Sequence, residues 1–97
     1  MQVIGVGILN QCILQHAEAK GQMSAWLNDA QHAAWKKPAD VQERYGADVI
    51  VPPDRAVFNI KGKKYRIVAR INYSRQLVEI RFAGPHSEYN RVDVKTV

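Results

Sequence analysis

Apolar residues recur at helical spacing through the first third of the chain. Ile8, Leu9, Cys12, Ile13 and Ala17 form one stripe, and Met23, Trp26, Leu27, Ala30 and Ala34 form another. Gly21 lies between them, so the pattern predicts two helices separated at that glycine and packed as an antiparallel hairpin. Ahead of Gly5 and Gly7, Val3-Ile4 reads as a short strand. Pro38 suits the first turn of a third helix through Ala39–Tyr45, with Gly46 as its C-terminal cap. The segment VIVPPDR that follows reads as a linker, because prolines cannot donate to a ladder and bias their neighbours toward extended geometry.

From there the period changes to two. Strands are predicted at Ala56–Ile60, Lys64–Asn72 and Gln76–Ala83, joined by turns at Lys61-Gly62-Lys63 and Tyr73-Ser74-Arg75. Gly84-Pro85 is expected to stop the last strand, and His86–Val92 to make one helical turn. The architecture implied is α+β: a single domain over residues 1–97 in which a small, mainly antiparallel sheet packs on N-terminal helices. Ile4 adds an edge strand in this scheme. One sheet face meets the helices and the other meets solvent or a ligand.

Alternation assigns the faces. On the middle strand Tyr65, Ile67, Ala69 and Ile71 suit a core, which leaves Lys64, Arg66, Val68, Arg70 and Asn72 opposite. Phe58 and Ile60 point inward on the preceding strand, with Asn59 and Lys61 outward. The third strand buries Val78, Ile80 and Phe82 and turns Glu79 and Arg81 out. Cations from neighbouring strands therefore converge on one surface, with Glu79 as the obvious acidic counterweight. Like charges side by side repel unless an anion lies among them.

Charge along the chain sharpens this reading. Residues 1–50 hold four Lys and Arg against five Asp and Glu, while residues 51–97 hold ten against four. The net charge of +5 therefore comes entirely from the second half, which points to a polyanionic partner, nucleic acid or an acidic protein. No basic amphipathic helix marks a membrane surface, and no apolar run reaches the roughly 18 residues of a span. The N-terminal stretch lacks the basic region of a secretory signal, so a cytoplasmic protein is expected. The single cysteine, Cys12, leaves no internal disulfide and fits a reducing compartment.

The stretch RFAGPHSEYNR adds chemistry to charge. Arg81, His86, Glu88, Tyr89 and Arg91 fall within one strand end and one helical turn. A histidine there can give or take a proton. A tyrosine can donate a hydrogen bond or stack on a base. Other patterns carry less. Gly5-Val6-Gly7 lacks the third glycine of a dinucleotide fingerprint. Cys12 and His16 are spaced i, i+4 but have no further ligands beside them, and His32 reads as surface. Trp26 is expected between helix and sheet, and Trp35 either packs there too or contacts a partner.

Residues 57–93 also resemble a known family. The combination of FNI, YR, IRF and H-x-E-Y at these spacings is similar to the HigB toxins, members of the RelE-like superfamily of endoribonucleases. The segment WKKPADVQERYGADVI resembles the family's W-K-x-P region more weakly. The resemblance implies a RelE-like fold and cleavage of mRNA, in several members on the translating ribosome. It implies inhibition by a HigA-like helix-turn-helix antitoxin and no metal or organic cofactor. Arg66 matches the arginine that faces the scissile phosphate, and His86 and Tyr89 match the loop after the last strand. Asn59 and Lys61 lie where RelE-like sheets present polar or cationic groups to RNA. Three positions depart from the pattern: Pro85 for threonine, Lys63 for asparagine and Asn90 for aspartate.

On that resemblance the expected reaction is attack by the RNA 2′-hydroxyl on its own phosphodiester. Arg66 stabilises the phosphorane, His86 is general acid or base, and Tyr89 shares the proton transfer or stacks on a base. Lys61 is an alternative base, if neighbouring cations depress its pKa. Lys63, Lys64, Arg70, Arg81 and Arg91 supply further RNA contacts. Two other readings use the same face: a non-catalytic RNA-binding module, and a domain that docks an acidic protein partner.

Overall fold

The strands of the computed structural model, which describes residues 1–97, lie in the order β1-β5-β4-β3-β2. Their ranges are β1 Gln2–Ile4, β2 Ile50–Val51, β3 Arg55–Ile60, β4 Tyr65–Asn72 and β5 Leu77–Pro85. β3, β4 and β5 form the expected antiparallel meander, and β1 runs parallel to β5 on the far edge. The helices are α1 Val6–Gln15, α2 Lys20–His32, α3 Pro38–Tyr45 and the short α4 His86–Tyr89. No helix is long and apolar enough to cross a membrane.

The inner face of the sheet carries the core. Leu9 and Cys12 from α1, Met23, Trp26 and Ala30 from α2, and Val41 from α3 bury against Phe58, Ile60, Tyr65, Ile67, Ala69, Ile71, Val78 and Ile80. Alternation thus sorts β3 and β4 as expected. Trp26 lies 5.1 Å from Phe58 between centroids, and Trp35 is buried nearby with its ring stacked 6.3 Å away. Pro38 opens α3, Asp40 accepts the Lys36 N–H at 2.9 Å, and Gly46 closes the helix at φ 107°. Gly5 is required between β1 and α1: its φ is 82°, and a Cβ there would stand 2.5 Å from the Ile80 carbonyl oxygen.

Four local expectations change. The two N-terminal helices do not part at Gly21, which lies in the first turn of α2. They part at His16, whose backbone leaves helical geometry and whose ring packs 5.2 Å from Tyr65; α1 then lies mainly along β5. The segment read as a linker contains β2, which pairs Ile50 with Ala56 and Val51 with Arg55, and the prolines occupy the intervening turn. β5 continues through Gly84 to Pro85, opposite Arg66 and Tyr65. Proline is tolerated there because β1 leaves β5 after Glu79, so no neighbour needs its missing N–H.

The fourth change is Phe82. A bulge between Ile80 and Phe82 leaves Arg81 without a partner on β4, where Val68 faces Phe82 and Ala69 faces Ile80. One extra residue reverses which face the following side chains take. Phe82 therefore joins the outer face, and Ala83 packs against the core instead. The outer face is also less bare than expected: Val57 and Val68 are 9% and 0% exposed there, outside the main core.

Candidate functional site

The β3–β4 register sets Asn59 directly opposite Arg66, and the β4–β5 register sets Gly84 on its other side. α4 follows β5 without a loop, and the His86 N–H donates to the Lys64 carbonyl at 3.0 Å. That bond fixes the start of α4 over the start of β4. One turn later Tyr89 lies over Arg66, whose guanidinium carbon is 4.5 Å from the ring centroid. Phe82 backs the same ring at 6.4 Å, and the His86 imidazole lies 6.1 Å from it. Gly84 makes this layer possible, since a Cβ there would come within 3.0 Å of the Phe82 ring. Arg66 and His86 thus both neighbour Tyr89, and Arg66 lies on the outer face rather than beneath the helices.

Beside this layer is a cleft of about 170 Å³. It opens where β2, only two residues long, leaves the β3 edge unpaired beyond Ala56. Val49, Val51, Val57 and Phe58 provide apolar walls, while Asn59, Lys63, Arg66 and Tyr89 supply the polar groups. Neither Lys63 nor Arg66 is in an ion pair, and the Arg66 Nε is buried without a hydrogen-bond partner. A guanidinium in this state offers a planar fork of donors to an anionic oxygen. Contact with the Tyr89 ring holds that fork in orientation.

The remaining predicted residues divide. Lys61 is exposed in the β3–β4 turn at φ 55° and does not line the cleft, unlike Lys63. Lys64 reaches toward the helical side, with Nζ 3.8 Å from Glu18 and 5.7 Å from the Tyr65 ring centroid. Arg70 pairs with Asp54 at 2.9 Å, a second carboxylate on the face where only Glu79 stood out in the sequence. Arg81 pairs with Glu79 at 3.2 Å and donates to the Val97 main-chain oxygen at 3.2 Å. Arg91 is exposed just beyond Tyr89 and makes no ion pair. Arg66, Lys63, Asn59, Tyr89 and His86 therefore share one end of the outer face, and Arg70 and Arg81 the other.

Two cleft residues escaped the sequence reading, Tyr45 and Asp48. Tyr45 ends α3 and forms an edge contact with Phe58 at 4.9 Å. Its hydroxyl donates to Asp29, and burial followed by that bond pushes its pKa upward. Burial opposes ionisation of Asp29, but bonds from Tyr45 and Arg44 outweigh it and lower the net value. Asp48 brings the cleft a carboxylate. Its only signal in sequence is its place in the segment after Trp35 that aligns weakly with the family.

The family model HigB_toxin, described as the RelE-like toxic component of a toxin-antitoxin system, matches residues 19–92 of the chain. The match covers all five residues gathered at the Arg66 end and stops just before Asp93. No curated protein matches.

Proposed function

We propose, for a chain that belongs to the HigB family and is thus the RelE-like toxin of a toxin-antitoxin system, that it acts as an mRNA endoribonuclease. The observation that carries this reading is the unpaired Arg66 guanidinium, held 4.5 Å over Tyr89 at the mouth of a phosphate-sized polar cleft. Cleavage by a 2′-hydroxyl needs a proton acceptor, a stabiliser of the crowded phosphorane and a proton donor for the departing 5′-oxygen. Arg66, with Lys63 beside it, meets the growing charge on the phosphoryl oxygens. Donors already aimed at developing charge need no reorganisation during reaction, which is why each is worth about 10²–10³ in rate.

His86, which lies 6.1 Å from the Tyr89 ring but does not itself line the cleft, and Tyr89 take the proton-transfer roles in this scheme: one accepts the 2′-proton and the other supplies one to the leaving oxygen. Tyr89 also presents a ring edge to a splayed base, and Asn59 a side-chain amide. Lys61, Lys64, Arg70, Arg81 and Arg91 lie farther along the RNA path or on its rim. No step in this scheme requires a metal. The substrate in this reading is mRNA presented by the translating ribosome; the family implies an antitoxin partner, and a HigA-like helix-turn-helix protein is our proposal for it. The site of action is the cytoplasm.

Induced expression followed by mapping of mRNA 5′ ends tests the reading. New ends accompanied by 2′,3′-cyclic phosphate on the upstream fragments are expected. Growth arrest with intact mRNA favours a non-catalytic RNA binder, and harmless expression favours a docking domain.

A further inference from the structure

The lower half of the outer face holds an arginine whose chemistry is unaccounted for. Arg55 is 8% exposed, the one buried charged residue of the chain. Its Nη1 pairs with Asp54 at 2.7 Å, its Nη2 donates to the Val97 main-chain oxygen at 2.9 Å, and its Nε is buried with no partner. Arg81, on the far side of β4, donates to the same oxygen. Two guanidinium groups from β3 and β5 therefore converge on one oxygen atom across the central strand. A buried donor left unpaired is costly, and a charged one more so.

The segment that supplies this oxygen is built mostly on itself. Thr96 and Val97 N–H groups donate to the Asp93 carbonyl at 3.1 and 2.9 Å, and the Lys95 N–H donates to the Asp93 side chain at 3.1 Å. Among its hydrogen bonds, those from Arg55 and Arg81 are what attach it to the sheet. It also lies beyond residue 92, where the family match ends.

We infer that Arg55 and Arg81 form a second anion subsite, occupied in the free protein by the Asp93–Val97 turn and taken over by a phosphate of bound RNA. The inference rests on the RNA reading above but not on cleavage. The subsite lies three to four residues along β4 from Arg66, roughly 10–13 Å at ~3.3 Å per residue, so an RNA strand engaged at Arg66 runs toward it. In the free protein one Val97 oxygen takes the Arg55 Nη2 and leaves Nε without a partner, whereas two oxygens of a phosphate can take both. Asp54 and Glu79 oppose any incoming anion alike; what favours an extended phosphate backbone over an acidic peptide is the subsite's place in line with Arg66 along β4.

The test uses a 2′-O-methyl oligoribonucleotide, which binds without being cut, and fluorescence anisotropy over a salt series. Deleting residues 93–97 is expected to tighten binding about fivefold and to steepen the salt dependence by about 0.7, one phosphate contact on a single strand. In an Arg55→Gln background the deletion gains nothing. In the unaltered chain the oligonucleotide should move the Thr96 and Val97 amide resonances toward random-coil positions, a readout that needs no truncated protein. Unchanged affinity on deletion, equal tightening without Arg55, or amides that stay in place would each overturn the subsite. Displacement of the turn by poly-glutamate but not by the oligonucleotide would do so as well. Binding and displacement without mRNA cleavage would keep the subsite and reject the nuclease.

Discussion

Replacing Arg66 with alanine separates the chemistry of the site from its folding. The loss of the contact with Tyr89 costs ~0.5–2 kcal/mol. The same change removes a buried Nε that has no partner, a burden of ~1–3 kcal/mol. The two effects oppose each other, so the net change runs from a loss of about 1 kcal/mol to a gain of about 2.5 kcal/mol, and Tm falls by no more than about 4–8 °C in a domain of this size. Activity has no such compensation. Without the donors facing the phosphorane, cleavage should fall about 10²–10³-fold. Arg66→Lys keeps the charge but loses the planar fork and the stacking, so its rate should lie between the two. The assay is single-turnover cleavage of a defined mRNA in a reconstituted translation reaction, with thermal unfolding of each variant alongside. A folded Arg66→Ala protein that cuts within threefold of the parent chain would refute the assignment. A variant that unfolds at assay temperature would instead refute the stability reasoning.

His86→Gln should reduce cleavage by about 10²–10⁴-fold while leaving oligonucleotide affinity unchanged; equal losses in both would make it a binding group. Tyr89→Phe divides the two roles of that residue, since a rate within a few fold of the parent leaves stacking alone, and a loss on the His86 scale assigns the hydroxyl to proton transfer. At the opposite face, the Glu18 carboxyl is held below its usual 4.5, chiefly by the hydrogen bond from Tyr65, and Asp29 below its usual 3.8. Both values are lower in the folded state, so the stability they confer is complete above the unfolded values and drains as pH falls through the folded ones. Tm should therefore drop below about pH 4.5, and Tyr65→Phe with Tyr45→Phe should flatten that drop; an unchanged acid limb in the double variant would contradict it. Gly5→Ala should cost more than about 2 kcal/mol, from left-handed strain of ~1–2 kcal/mol and a Cβ 2.5 Å from the Ile80 oxygen. Chemical denaturation measures it, and a midpoint matching the parent would show that β1 and α1 yield at no cost.

The inner face was legible because its period is unbroken: Tyr65, Ile67, Ala69 and Ile71 bury together, as do Phe58 and Ile60. Pro38 and Gly46 marked α3 for equally local reasons. Phe82 was not legible, because Val78, Ile80 and Phe82 alternate perfectly in sequence and a bulge leaves no trace in such a pattern. β2 escaped because two residues show no period at all. Arg66, His86 and Tyr89 were singled out by strand alternation, residue type and the family resemblance, and the fold brings them to one layer. What remained hidden was the partner of each cation. Asp54 reaches Arg70, Glu18 reaches Lys64 and Val97 reaches Arg81 from segments distant in sequence. Asp48 and Tyr45 entered the cleft in the same way.

The bulge explains why a uniformly basic stretch gives an uneven surface. Had β5 paired in register throughout, Phe82 would lie in the core and nothing would back Tyr89 from below. The extra residue turns Phe82 outward against Tyr89 and frees Arg81 to reach toward Val97. The outer face is thereby divided at Val68. Toward the β3–β4 turn, Lys61, Lys63, Arg66 and Arg91 have no carboxylate partner. Toward the other end, Arg55, Arg70 and Arg81 are balanced by Asp54, Glu79 and a main-chain oxygen. The number of cations alone therefore overstates the field at this face. On the RNA reading proposed above, the unpaired end attracts and orients the strand, because its cations lose no partner on contact, while the paired end must first exchange one anion for another. The same reading predicts an order of engagement: Arg66 and its neighbours first, and the Arg55 end only as the strand extends along β4.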